Sequence, residues 1–277
     1  MAGHLRRRNP TTIANQYRKL IIDGSIKELK QIQNAAKLRI FLDYDGTLAD
    51  FAPTPDEIYP DPELIDLLDR LNNHQRFQVA IISGRRLSHI RTLIPVPGIL
   101  LAGTYGIEFL DPSGTQIDRV DFEEIRPALD RIRPLWEELI RPHRDFYLED
   151  KGWSLALHGK FVDGEAAKET LNQARMVIDQ GDLPRDLFRI LGGHKFLEVA
   201  PRLANKGLTV HYLISRYPLE GALPIYIGDD DKDEEAFEVV LQYTGVAIKV
   251  SSQSGDTVAQ LRLDLPNTVR QFLASLL

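Results

Sequence analysis

The 277-residue chain has no cysteine and only two methionines and two tryptophans. Without thiols it can form no disulfide, no thiolate metal site and no cysteine nucleophile, and the lack fits a reducing compartment. No uninterrupted apolar stretch is long enough to cross a bilayer. Nor does an apolar run follow Arg6-Arg7-Arg8, because Thr11, Asn15, Gln16, Arg18 and Lys19 break it, so no secretory signal is expected. An excess of positive charge is also missing. Lys plus Arg total 34 against 40 Asp plus Glu, a net charge of -6 that leaves no basic field for nucleic acid. The arginine triplet reads as a solvated terminal arm. These absences predict a cytoplasmic protein with neither a membrane nor a nucleic-acid partner, and no obligate protein partner. The length predicts two domains, with 43% apolar and 27% charged residues, as in ordinary globular chains.

A leading helix is expected over about 13–36, with Ile13, Tyr17, Leu20 and Ile21 on its apolar side. From Leu38 the pattern changes to short apolar runs that stop abruptly at polar residues. Leu38 to Leu42 ends at Asp43, Val79 to Ile82 at Ser83-Gly84-Arg85, Ile99 to Ala102 at Gly103-Thr104, and Ile225 to Ile227 at Gly228-Asp229-Asp230. A further strand is expected from Thr244 to Val250. Runs apolar at every position suit strands buried on both faces. Between the first two, Asp61 can cap a helix with Pro62 in its first turn and Leu64, Leu67, Leu68 and Leu71 as its stripe. Alternating strands and helices predict an α/β, doubly wound parallel-sheet (Rossmann-like) core, whose ligands bind at the carboxyl ends of the strands.

The middle of the chain reads differently. Hairpins are expected at Phe146 to Lys160, around Asp150-Lys151-Gly152, and at Asp186 to Val199, around Gly192-Gly193. Helices are expected at Glu165 to Gln180 and, despite Pro127 and Pro134, at Phe122 to Ile140. The predicted organisation is an N-terminal helical extension (1–36), a core (37–110 and 198–277) and an inserted α+β cap domain (111–197). In the first hairpin a period of two puts Gly152, Ser154, Ala156, His158 and Lys160 on one face, and Trp153, Leu155 and Leu157 on the other. The polar face can be solvent-facing or a sugar-binding surface.

Asp43 and Asp45 follow a buried strand two residues apart, and Asp229, Asp230, Asp231 and Asp233 follow another. Carboxylates crowded at neighbouring strand ends need a cation, and an all-oxygen donor set points to magnesium rather than zinc. An Asp carboxylate is a competent nucleophile toward phosphorus. Lys206 could neutralise phosphate oxygens, Ser83 and the turn N–H groups could hydrogen-bond them, and Asp45 could move the proton of the leaving oxygen. Taken alone, Ser83-Gly84 is an ordinary strand-to-helix turn and Lys206 an ordinary surface lysine. The ordered set carries the argument.

That set resembles the haloacid-dehalogenase-like phosphatase superfamily: Asp43-Tyr44-Asp45-Gly46-Thr47, Ser83-Gly84-Arg85, Lys206 within Asn205-Lys206-Gly207, and Gly228-Asp229-Asp230 with Asp233. The resemblance implies Asp43 as nucleophile, Asp45 as general acid/base, and Ser83 and Lys206 as phosphate holders. It implies Mg2+ held by Asp43, the Asp45 carbonyl and Asp229, with Asp230 and Asp233 in support. Glu149-Asp150-Lys151-Gly152-Trp153-Ser154 with His158, and Glu198-Val199-Ala200-Pro201 before Asn205, narrow the likeness to trehalose-6-phosphate phosphatases. In that family the positions matching Glu149, Lys151, Ser154 and Glu198 would contact the disaccharide, with His158 in the same cap signature and Arg85 close by. Four places depart from the family pattern. Tyr105-Gly106 after Thr104 stands for His-Gly, Gly159-Lys160 for Tyr-Arg, Ala200 for a basic residue and Lys232 for Thr. The expected substrate is therefore trehalose 6-phosphate or, failing that, another glycosyl or cyclitol phosphate. A silent regulatory domain would have lost the nucleophile, lysine or carboxylates, which are all present. A phosphomutase would use the same aspartyl phosphate and differ in excluding water.

Overall fold

The five apolar segments and Leu261–Leu263 become parallel neighbours because each is covered on both sides. The computed structural model describes residues 23–24, 26–51, 57–159, 161–181, 183–193 and 195–277. Its larger sheet has nine strands, in which Leu261–Leu263, Val246–Val250, Ala222–Gly228, Lys37–Leu42, Phe77–Ile82 and Leu100–Gly103 lie side by side and parallel. Successive residues of a strand serve different layers. Leu38, Ile40, Leu42, Val79, Ile81, Ile225 and Ile227 pack under the helices Pro62–Asn72, Leu87–Leu93 and Pro266–Leu276. Phe41, Ala80, Ile82, Tyr226 and Ala247 pack under Lys206–Arg216 and Asp231–Gln242 on the other face. Two apolar faces leave no room for alternation, which is why these strands read as continuous runs. Asp61 caps its helix as expected, accepting the N–H groups of Glu63 and Leu64, a contact worth about 1 kcal/mol.

The smaller sheet is antiparallel, in the order Tyr147–Asp150, Leu155–His158, Phe196–Pro201, Phe188–Gly193. One face packs on the helices Phe122–Ile140 and Gly164–Gln180 through Leu155, Leu157, Leu197 and Val199 against Leu129, Ile132, Trp136 and Ala174. On the opposite face, register aligns Glu149, Ala156, Glu198 and Leu191 in one row across all four strands. The fold is the expected α/β core with an inserted α+β cap.

Several expectations shift. Only Ile26–Asn34 of the leading helix is seen, ending two residues early; Asp23–Gly24 is instead a short strand paired with Arg262 and Leu261, and residues 13–22 and 25, like the arginine triplet, lie outside the described residues. The last long strand begins at Val246, because Thr244 takes a left-handed φ of 56° that ends the preceding helix. In the second hairpin Gly192-Gly193 are not the turn but still strand, pairing with Leu197 and Phe196, and Lys195 takes a left-handed φ of 61°. A Cβ at Gly192 would sit 3.0 Å from the Arg175 guanidinium, the movable end of that side chain. Trp153 leaves the Leu155 and Leu157 face and packs with Tyr105, Ile107, Leu191, Ala200 and Ala204, since the turn through Gly152 (φ 79°) breaks the alternation. Lys160 lies outside the described residues. The expected boundaries at 110/111 and 197/198 fall a few residues before the chain changes sheet. The Asp111 to Thr115 turn closes a hairpin that returns as Gln116–Asp118 in the large sheet, and Phe196–Pro201 belongs wholly to the small one.

Candidate active site

Parallel order brings the residues after four strands to one edge: Asp229, Asp43, Ser83 and Thr104, in that sequence. Asp43 is buried there, and the Lys206 ammonium, also buried, donates to its Oδ1 at 2.8 Å and to Asp233 Oδ1 at 2.6 Å. The Thr47 hydroxyl lies 3.2 Å from Asp43 Oδ2 and 3.3 Å from Asp229 Oδ1, and so links the two strand ends. Gly46, at φ 76°, makes that approach possible. A Cβ on it would fall 2.3 Å from Asp229 Oδ2, so any side chain would drive Asp229 away from Asp43.

Asp233 holds the loop together. Its Oδ1 also accepts from the Tyr226 hydroxyl at 2.7 Å, and its Oδ2 accepts the N–H groups of Asp229 and Asp230 at 3.0 Å each. Asp230, not Asp231, caps the helix Asp231–Gln242, in a reciprocal capping box with Asp233. It also accepts the Lys232 ammonium at 2.9 Å. Asp43, Asp229 and Asp233 each offer an oxygen within 4.8 Å of the others. With Asp233 fully engaged and Asp230 turned to its helix, Asp43 and Asp229 are the two carboxylates with coordination capacity to spare.

The electrostatics say what is missing. Burial, then Asp233, Asp229 and Asp230, push Asp43 well above the usual carboxylate range against the pull of Lys206. Burial, then Asp233 and Asp230, push Asp229 up to about 7. Burial works against the Lys206 ammonium, but Asp233 and Asp43 outweigh it and raise its pKa. Four carboxylates (Asp43, Asp229, Asp230, Asp233) meet two ammonium groups (Lys206, Lys232), which leaves two negative charges to be balanced. An all-oxygen set with that deficit fits a hard divalent cation.

Ser83 is fully buried, and its Oγ accepts the Arg85 N–H at 3.1 Å, leaving its own proton to donate. Asp45 is turned away from the acidic cluster; both its oxygens take the Arg85 guanidinium.

The cap residues come together over this edge. Glu198, fully buried, accepts Ser154 Oγ at 2.6 Å and Lys151 Nζ at 3.1 Å on Oε1, and the Tyr105 hydroxyl at 2.9 Å on Oε2. Glu149 meets His158 Nε2 at 3.0 Å and Lys151 at 3.9 Å. Burial opposes the Glu149 charge, yet the His158 bond and Lys151 hold its carboxyl below the ordinary range. The polar hairpin face is thus turned to the core, not to solvent. The sequence reading marked Tyr105 only as a departure, whereas here it joins core to cap. It sits at φ 56°, with Lys151 over its ring at 5.5 Å and Trp153 in the same cluster. Thr47 was missed as a bridge although it lay within the quoted motif. Two further contacts tie cap to core: Arg189 to Glu235 at 2.5 Å, and Lys232 over the Phe196 ring at 5.1 Å. No sequence pattern marks them.

Solved structures share this fold. The C-terminal domain of C. albicans trehalose-6-phosphate phosphatase has a TM-score of 0.77 at 20% identity, covering 100% of this chain and 99% of that one. The C-terminal domain of the Candida albicans trehalose synthase regulatory protein has a TM-score of 0.70 at 14% identity, covering 92% and 99%. These likenesses define the class by fold, an α/β core carrying an α+β cap. Residues 41–267 match the trehalose-phosphatase family. The trehalose-phosphate phosphatase of Mycobacterium leprae is 31% identical over 246 residues, covering 84% of this chain. The chain belongs to the trehalose-phosphatase family. It spans 56% of the length of that relative.

Proposed function

We propose that the chain is a magnesium-dependent phosphomonoesterase that converts trehalose 6-phosphate to trehalose and phosphate. The observation that carries this reading is the Asp43 carboxylate at a strand end, held 2.8 Å from the buried Lys206 ammonium with Asp229 alongside. Asp43 attacks phosphorus and forms an aspartyl phosphate. Lys206 and the Ser83 hydroxyl neutralise and orient the equatorial oxygens. Asp43, Asp229 and the Asp45 carbonyl would hold the cation, with Asp233 and Asp230 fixing the loop beneath it. When bound, Mg2+ supplies the positive charge that the acidic cluster lacks and that a phosphate dianion needs. Residues 37–110 and 198–277 would supply this chemistry. The cap, 111–197, would exclude water and read the sugar through Glu149, Lys151, Ser154 and His158, with Glu198 completing the row.

A second reading, another glycosyl or cyclitol phosphate, is favoured by the Tyr105 hydroxyl, which occupies Glu198 Oε2, an oxygen otherwise open to a sugar hydroxyl. The test is phosphate release from a panel of sugar phosphates, with excess Mg2+ and with chelator. Trehalose 6-phosphate is expected to give the highest kcat/KM, with activity lost on chelation and restored by Mg2+. A higher value on another ester overturns the substrate, and undiminished turnover in chelator overturns the cation.

Lys151→Ala should act on recognition. A hydrogen bond from its ammonium to a sugar hydroxyl would be worth about 1.5–3 kcal/mol, so KM for the disaccharide phosphate should rise roughly 10- to 150-fold. Turnover of a small aryl phosphate should change far less. Equal losses on both substrates would remove Lys151 from sugar reading.

A further inference from the structure

Arg85 lies where a substrate contact was expected, yet its guanidinium is engaged elsewhere. It forks onto Asp45, Nε to Oδ2 and Nη2 to Oδ1, at 2.7 Å each, with 10% of its side chain exposed. The backbone beneath it is fixed on both sides. Its N–H donates to Ser83 Oγ at 3.1 Å, and its carbonyl accepts the Thr104 N–H at 2.7 Å. Nη1 lies 3.1 Å from His89 Nδ1, and the guanidinium carbon lies 5.9 Å from the Tyr44 ring centre. Asp45 takes that fork with both oxygens. It sits in a turn between Tyr44 and Gly46, with 27% of its side chain exposed, and the Arg85 fork fixes the plane of its carboxylate.

We infer that Arg85 is the positioning residue of the proton-transfer step, acting through Asp45 and not by touching the sugar. The inference rests on the phosphatase reading above. In the first half-reaction an Asp43 oxygen bonds to phosphorus while the bond from phosphorus to the leaving oxygen breaks, and the Asp45 O–H proton passes to that oxygen. In the second half-reaction the Asp45 carboxylate takes a proton from water as the water oxygen bonds to phosphorus and the bond from Asp43 to phosphorus breaks. The fork of two Arg85 N–H groups fixes where the Asp45 carboxyl stands for both transfers. A carboxyl released from its fork is misplaced by an ångström or more, an error that costs about 100-fold.

The discriminating experiment uses substituted phenyl phosphates, which carry no sugar, with leaving phenols running from strongly to weakly acidic. kcat/KM is measured with excess Mg2+ for the unmodified chain, Arg85→Ala, Arg85→Lys, Asp45→Asn and the double variant Arg85→Ala with Asp45→Asn. Arg85→Ala should lose about 100-fold on phenyl phosphate and about tenfold less on an activated dinitrophenyl ester that needs no proton, which steepens the leaving-group dependence. Arg85→Lys should fall between, and the double variant should match Asp45→Asn within about twofold. An unchanged slope with KM raised only on the disaccharide phosphate makes Arg85 a substrate contact and overturns the inference. Uniform loss across the series makes it merely structural and also overturns it. Thermal melting checks folding, and if Arg85→Ala does not fold, the slope of Arg85→Lys decides. An unmodified chain that hydrolyses no monoester overturns the phosphatase reading itself, whereas an active chain with an unchanged slope overturns only this inference.

Discussion

Asp43→Asn is expected to lower phosphate release at least about 10⁴-fold, with the fold intact, because the amide cannot form the covalent phosphoryl intermediate. Stability should move the other way from activity. Asp43 shares a buried corner with Asp229, Asp230 and Asp233, and burial and those neighbours already disfavour its charge. Removing that charge in the metal-free protein relieves repulsion, while Lys206 keeps Asp233 as its partner at 2.6 Å. Melting of the variant in chelator should therefore occur at or above the temperature of the unmodified chain. A variant that folds and retains metal-dependent turnover within tenfold would show that another group attacks phosphorus.

Lys206→Met is expected to lower activity and stability together. The ammonium is the cation seated between Asp43 and Asp233, both nearly or fully buried, and a methionine of similar length leaves two carboxylates unpaired. Breaking a buried pair in this way costs about 3–5 kcal/mol, roughly 10 °C in melting temperature for a chain of this size. Added divalent cation should recover part of that loss, since it neutralises the same carboxylates. Catalysis should fall about 10²- to 10³-fold, the usual effect of removing one donor from a developing phosphoryl charge. Melting curves with and without Mg2+ test the electrostatic argument. A loss of stability that the cation does not reduce would mean that Lys206 acts by packing alone.

The core was legible because its strands are buried on both faces and each ends at a residue that cannot be buried without a partner. Asp43, Ser83 and Asp229 mark those ends directly in the sequence. The hairpins were legible where the period of two held, at Leu155, Leu157 and His158, and failed at Trp153, where a turn with a left-handed glycine changes which face follows. The Gly192-Gly193 turn failed for another reason: both glycines still pair with the neighbouring strand, and the left-handed residue is Lys195, which propensity disfavours there.

By itself, the order of residues along the chain determined the class of fold and the inventory of chemistry: carboxylates for a hard cation, one lysine, one serine, and a polar cap strand. It did so because apolar periodicity and strand-end polarity are local properties. Only the tertiary structure decided which groups meet. Lys206 reaches Asp43 across 163 residues and Tyr105 reaches Glu198 across 93, while Arg85 forks onto Asp45. Such pairings depend on the order of strands in the sheet and on where the cap rests, and no stretch of sequence short enough to read encodes either.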